Sequence, residues 1–286
     1  MNTATAFETD IETIHSILRL AILAPSPDNT QPWRWKWAGQ FLSLFYDCET
    51  TKHFLNRLHT ADYLTIGCLL EQLEIASQRF GLQTEVHLHG LDRSPVLQVS
   101  FRPSKNADEK IDLEKRFTCR MFLGVNTPSP ILENWQPTAN DGVRFSFLKT
   151  SIAERSTPLP KTIYRSSRLY WSDYERSFDI IKSINFDGSL SHGLEKQSLG
   201  ANWIEVQFLK LMKIKMLHQG FTALGLTNLI ALKDVESFKN SSYCYLFSVK
   251  SSQASDLIDC GRSALRLWCT LSDRNWGVQP ISLAGL

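Results

Sequence analysis

Apolar residues recur at helical spacing over Ile14, Ile17, Leu18, Ala21 and Ile22. This predicts a first helix that runs to about Leu23 and is ended by Pro25. Thr9-Asp10-Ile11-Glu12, just before it, has the spacing of a capping box. The period then changes to two. Trp33-Arg34-Trp35-Lys36-Trp37 alternates strictly and predicts a half-buried strand, tryptophans inward and bases outward. Ala38-Gly39-Gln40 can turn the chain into a second strand over 41–46. Ile66, Leu69, Leu70, Leu73 and Ala76 share one face of a helix predicted over 66–80. Glu71, Glu74 and Gln78 fall elsewhere on its wheel, and Gly81 stands where a C′ glycine belongs.

Strands are expected at about 83–89 and 95–101, then a polar connector over 103–111 and a proline-bearing loop, Gly-Val-Asn-Thr-Pro-Ser-Pro. Helical patterns occupy 161–182 and 192–218, a strand pattern 243–249, and an amphipathic helix 256–275 with Leu257, Ala264, Leu267, Trp268 and Leu271. Mixed charges at helical spacing in YRSSRLYWSDYER predict a solvated helix face. Asp173 and Glu175 lie within it, and nothing singles either out. One plan occurs twice: IGCLLEQLEIASQRFGLQ and DCGRSALRLWCTLSDRNWGVQ each place a glycine near a helix start, then an apolar face, then Gly-[Leu/Val]-Gln. Two amphipathic helices can share that much by chance, but the echo permits two related halves.

Composition narrows the function. Hydrophobic residues are 43% of the 286, enough for a globular chain with a sizeable core. The net charge is only +2, which argues against nucleic acid as a partner. No apolar run approaches a membrane span. Glu8, Asp10 and Glu12 near the N-terminus, without a basic cluster, give no secretory signal, so a cytoplasmic protein is expected. Six scattered cysteines without a CxxC pair fit reduced thiols. His87 and His89 would share a strand face, but two imidazoles without a third ligand do not make a metal site, and none is expected. Nucleotide-binding glycine motifs and hydrolase signatures are absent.

The most unusual stretch is LAPSPDNTQPWRWKW, residues 23–37. Pro25 and Pro27 restrict themselves and the residues before them, so the turn is stiff. Asn29 and Gln31 each offer a donor and an acceptor on one amide, which suits the polar edge of a flat heterocycle; from the residues alone, Asp28 and Asn29 merely making the turn is the simpler reading. A second stretch, EKRFTCRMF, would place Arg116, Thr118 and Arg120 on one face if extended. Two guanidinium forks with a hydroxyl between them can hold a phosphate and a ring carbonyl, although a solvated basic turn is the simpler reading of so short a pattern taken alone.

APSPDNTQPW resembles the Ala-Pro-Ser-x-x-Asn-x-Gln-Pro-Trp signature of the nitroreductase-like flavoprotein superfamily, and RFTCR resembles that family's Arg-x-[Ser/Thr]-x-[Arg/Lys] segment. Their order, with the 66–81 helix between them and Asp187-Gly188 after, is similar to the longer, two-lobed branch. The resemblance implies an α+β fold, an α/β/α sandwich with a mainly antiparallel sheet. It implies two interleaved halves, about 1–110 and 111–286, forming a monomeric pseudo-dimer or a homodimer. It also implies FMN as cofactor, NAD(P)H as electron donor and a small-molecule acceptor. Ser26, Asn29 and Gln31 would meet the flavin, with Asn29 and Arg120 at the ring and Arg116 and Thr118 at the phosphate. No side chain is singled out as catalytic. No basic residue follows Arg274, so Arg116 and Thr118 are expected to carry the phosphate, with Arg262 and Arg266 the other candidate cations. A relative that binds flavin without turnover, or has lost it and serves as a partner protein, is the competing reading.

Overall fold

The computed structural model describes residues 9–53, 56, 58–104, 111–120, 135, 143–149, 157–188 and 192–281. The polar connector falls largely outside these residues and the proline-bearing loop entirely so. Asp10 is the N-cap of α1 (Ile11–Ala21), its carboxylate accepting from the Thr13 amide at 2.9 Å. The cap therefore sits one residue later than the Thr9 spacing suggested. The first strands form as the alternation requires: β1 (Trp33–Trp37) and β2 (Leu42–Tyr46) pair antiparallel with Trp33 opposite Tyr46 and Trp37 opposite Leu42. Trp33 is buried while Arg34 and Lys36 are exposed.

With β3 (Leu82–Leu88) and β4 (Leu97–Pro103) these strands make a four-stranded antiparallel sheet, ordered β1-β2-β4-β3. Leu42, Leu44, Leu97, Val99 and Phe101 join one apolar core with Ile14 and Ile17 of α1 and with α2 (Thr60–Gln78). His87 and His89 lie on exposed positions at the far end of β3.

The fold is α+β. Beyond the sheet, β5 (Val143–Lys149) pairs antiparallel with β8 (Tyr243–Val249), and the two-residue strands β6 (Ile184–Asn185) and β7 (Leu194–Glu195) pair parallel. The helical stretch expected at 161–182 is two helices, α3 (Leu159–Ser172) and α4 (Tyr174–Ser183). They are broken at Asp173, whose carboxylate accepts from the Arg176 amide and so caps α4. The stretch expected at 192–218 begins with β7 and a 3-10 turn. Only then come α5 (Trp203–Leu211) and α6 (Lys215–Ala223), separated at 212–214. α7 (Asn228–Lys239) precedes β8, and α8 (Ala254–Asp273) ends the described helices.

Packing of α2 on α8 organises the centre. Both echoed glycines lie at this crossing. A Cβ on Gly67 would stand 2.1 Å from the Ile258 carbonyl oxygen, and one on Gly261 2.2 Å from that of Leu64. Only a residue without a side chain allows so close an approach. Four residues along α2, Glu71 is 2% exposed and pairs with Arg262 (2.9 Å) and with Arg266 of α8. Its reading as a residue off the buried face is thus corrected: α2 is buried nearly all round, and the charge is tolerated because two guanidinium groups neutralise and hydrogen-bond it. All six cysteines are free thiols.

Candidate functional site

The turn after α1 is strained. Asp28 (φ 49°), Asn29 (φ 55°) and Gln31 (φ 50°) all lie in the left-handed region, where each non-glycine residue costs of order 1–3 kcal/mol. Local bonds hold it. Ser26 Oγ accepts from the Gln31 amide at 3.0 Å, and Gln31 Nε2 donates to Asn29 Oδ1 at 3.0 Å. Asn29 also ties the turn to a distant loop: its Nδ2 donates to the Gly193 carbonyl at 3.0 Å, and the Gly193 amide donates back to the Asn29 carbonyl at 3.2 Å.

The 116–120 segment reaches the same place. It is anchored by α8 and the chain beyond it: Trp268 Nε1 donates to the Phe117 carbonyl (3.2 Å), and Thr118 bridges Val278 in parallel register. Arg116 lies over the Trp268 ring at 4.6 Å and donates to the Leu23 carbonyl at 2.6 Å, at the entry to the turn. Its Nε is buried without a hydrogen-bond acceptor. Arg120 donates to the Ser198 carbonyl at 2.9 Å and acts electrostatically on Asp28. Burial lowers both guanidinium groups from their ordinary values. The structure therefore brings the turn, the Arg-Thr-Arg segment and the 193–198 loop together. Arg262 and Arg266, the other candidate cations, pair with Glu71 of α2.

Around Asp28 lies a group of residues that sequence reasoning missed. Burial pushes the Asp28 carboxyl up to about 6, Asp179 adds to that, and Arg120 and Lys182 oppose it. Tyr170, 9% exposed, is raised by burial and then by Asp28 and Asp179. Its hydroxyl is 2.8 Å from His53 Nε2, with the two rings stacked at 5.8 Å. Tyr170 belongs to the stretch expected to be a solvated helix face, and that expectation fails for it. His53, Tyr170 and Asp179 come from three segments, so no spacing in the sequence signals them. Asp173 and Glu175 take structural roles, the first as a cap and the second in a surface pair with Lys215 at 3.2 Å. A shallow cleft of about 350 Å³ lined by Arg165, Arg168, Leu169 and Thr222 shares no residue with this region.

No protein-family profile matches the chain. Over 78 residues, 27% of its length, it is 33% identical to two proteins provisionally named as NAD(P)H nitroreductases, from Mycobacterium tuberculosis strains CDC 1551/Oshkosh and H37Rv. The matched segment spans 23% of each relative. The likeness supports a nitroreductase-like relationship over that segment. Among the described residues, no helix is long and apolar enough to cross a membrane.

Proposed function

We propose that this chain is an FMN-dependent oxidoreductase that takes electrons from NAD(P)H and delivers them to a small-molecule acceptor. The observation that carries this reading is the meeting of a strained amide turn with two half-buried guanidinium groups from a segment some 90 residues away. Strained backbone persists where surrounding structure over-determines it, and ligand sites are where such strain concentrates. When bound, FMN supplies the hydride chemistry. The chain's own residues bind and orient it: Asn29 and Arg120 at the ring, with Ser26 and Gln31 fixing the turn, and Arg116 and Thr118 at the phosphate. The donor set fits an anionic, carbonyl-bearing ligand, and the buried Arg116 Nε is a donor still without an acceptor. The echoed α2–α8 crossing supports a pseudo-dimer of halves 1–110 and 111–286.

One observation favours the competing reading, flavin held without turnover or lost: Asn29, Gln31 and Arg120 already have protein partners. Titration of the purified protein with FMN and riboflavin, followed by NADPH oxidation, separates the two. We expect saturable FMN binding well below tens of micromolar, stronger than about −6 kcal/mol. FMN should be preferred over riboflavin by about tenfold to a hundredfold, roughly 1.4–2.7 kcal/mol. Arg116→Ala should remove most of that preference, while Asn29→Ala and Arg120→Ala should weaken both flavins alike. Absence of saturable binding sinks the oxidoreductase reading; tight binding without NADPH oxidation selects the competing one.

A further inference from the structure

Away from the turn, the end of β2 and the start of α2 bring Cys48, His59 and Asp62 together, with one ligand-type atom from each within 4.8 Å of the others. We propose that these three residues form a site for a borderline-soft divalent cation of the zinc class, with its fourth position open to solvent or a ligand. Thiolate, imidazole and carboxylate are the donors such a cation takes, and three protein ligands with one open position is its arrangement at reactive sites.

The surroundings are built to hold those donors. Asp62 is fully buried; its Oδ2 lies 2.7 Å from His59 Nδ1, and its Oδ1 accepts from the Tyr46 hydroxyl at 3.1 Å. Tyr46 thus orients the carboxylate from behind, as outer-shell partners of metal ligands do. His59 sits at φ 56°, a left-handed position that a β-carbon disfavours, and makes no side-chain cap of the helix it precedes. Asn56, itself buried, pins the loop: it donates to the Thr51 carbonyl (3.1 Å), accepts from the Ala61 amide (3.0 Å), and takes the His59 amide on its own carbonyl (3.1 Å). Asp47 and Glu49 flank Cys48 in sequence and add negative potential there. Ligands of a tetrahedral zinc ion stand about 3.3–3.7 Å apart, from bonds of about 2.0–2.3 Å. The His59–Asp62 hydrogen bond, 2.7 Å, would open by under about 1 Å, and the Cys48 thiol, within 4.8 Å of both partners, would move in by about 1.2 Å at most. Binding releases the thiol proton to solvent, and His59 presents a ring nitrogen bare of its proton to the cation, any proton there passing to solvent or to the other ring nitrogen.

The test uses the whole reduced protein, freed of metal with a chelator and studied without flavin, so it does not depend on the oxidoreductase reading. Zn²⁺ is titrated by calorimetry and Co²⁺ by absorption. We expect one equivalent, with a sulfur-to-cobalt charge-transfer band. Cys48→Ser, nearly isosteric, should abolish the band and weaken Zn²⁺ at least ~100-fold, and Tyr46→Phe should weaken it roughly tenfold. His59→Gln, at an exposed ring, should also lose the band, which excludes any other cysteine as its source. No band in the wild type, or a band that survives His59→Gln, overturns the proposal. So does a Zn²⁺ affinity that survives Cys48→Ser, and loss of that remaining binding in His87→Gln would place the metal on β3 instead.

Discussion

Asp28 combines a left-handed backbone (φ 49°) with a carboxyl pushed up to about 6 by burial and by Asp179. Both conditions oppose folding, and together they define a pH dependence. A carboxyl whose value is higher folded than unfolded binds more protons in the folded state between the two values. Its stabilising effect is full below the unfolded value, falls as pH rises toward about 6, and is gone above it. Asp28→Asn removes the titration and keeps a residue that tolerates the left-handed region. The variant should therefore be more stable than the wild type at pH 7.5, by up to about 3 kcal/mol, with the advantage shrinking toward pH 4.5. Urea unfolding of both proteins across this range checks it; a difference independent of pH would mean that the Asp28 carboxyl is not held up. The same residue shows the limit of the sequence. APSPDNTQPW marks a stiff turn, yet what makes Asp28 unusual is its meeting with Arg120, Asp179 and Lys182, whose numbers give no hint of proximity.

At the scale of elements, the α2–α8 contact depends on two glycines and one buried ionic cluster. Gly67→Ala places a methyl 2.1 Å from the backbone oxygen of Ile258, so the helices must separate along their length. Overpacking typically costs about 1–3 kcal/mol, and rigid backbone as the obstacle puts this case at or above the upper end. Glu71→Gln removes the carboxylate that neutralises Arg262 and Arg266 and should cost about 3–5 kcal/mol. Denaturant midpoints of the two variants measure both, and near-wild-type stability in either would show that the crossing can relax. The strictly periodic segments were legible: β1, β2, α1 and α8 form where their patterns place them, and the echo between 66–83 and 259–279 found the two crossing glycines. Less was legible where burial and polarity part company. α2 begins at Thr60, six residues before the apolar pattern, because Asp62 and Thr65 are polar and buried. Glu71 reads as lying off the buried face, because the two arginines that neutralise it stand 191 and 195 positions later in the sequence. The breaks at Asp173 and at 212–214 interrupt patterns that remain periodic on both sides, so periodicity alone joined each pair of helices.

At the scale of the whole molecule, the candidate site exists only because three remote segments meet: 23–31, 116–120 and 193–198. Each contributes donors that the protein already uses in part. Asn29 spends one of two amide protons on the Gly193 carbonyl, and Arg120 spends a guanidinium proton on the Ser198 carbonyl. An amide NH₂ carries two donors and a guanidinium five, so capacity remains without breaking either bond. A ligand that uses the remaining donors adds to this network and need not displace the 193–198 loop. It must then tighten that loop, because the loop's carbonyls and the ligand share the same positioned side chains. Saturating FMN should accordingly slow hydrogen exchange in all three segments together, including the Gly193 amide that donates to the Asn29 carbonyl. The α2–α8 crossing, already closely packed and buried, should change little. Exchange measured by mass spectrometry with and without FMN decides between the two readings of the site. Protection at 25–31 and 116–120 with faster exchange at 192–199 would mean that the loop competes with the ligand for Asn29 and Arg120. In that case the Gly193 and Ser198 carbonyls stand where a ligand's oxygens belong, and the non-catalytic reading gains the advantage.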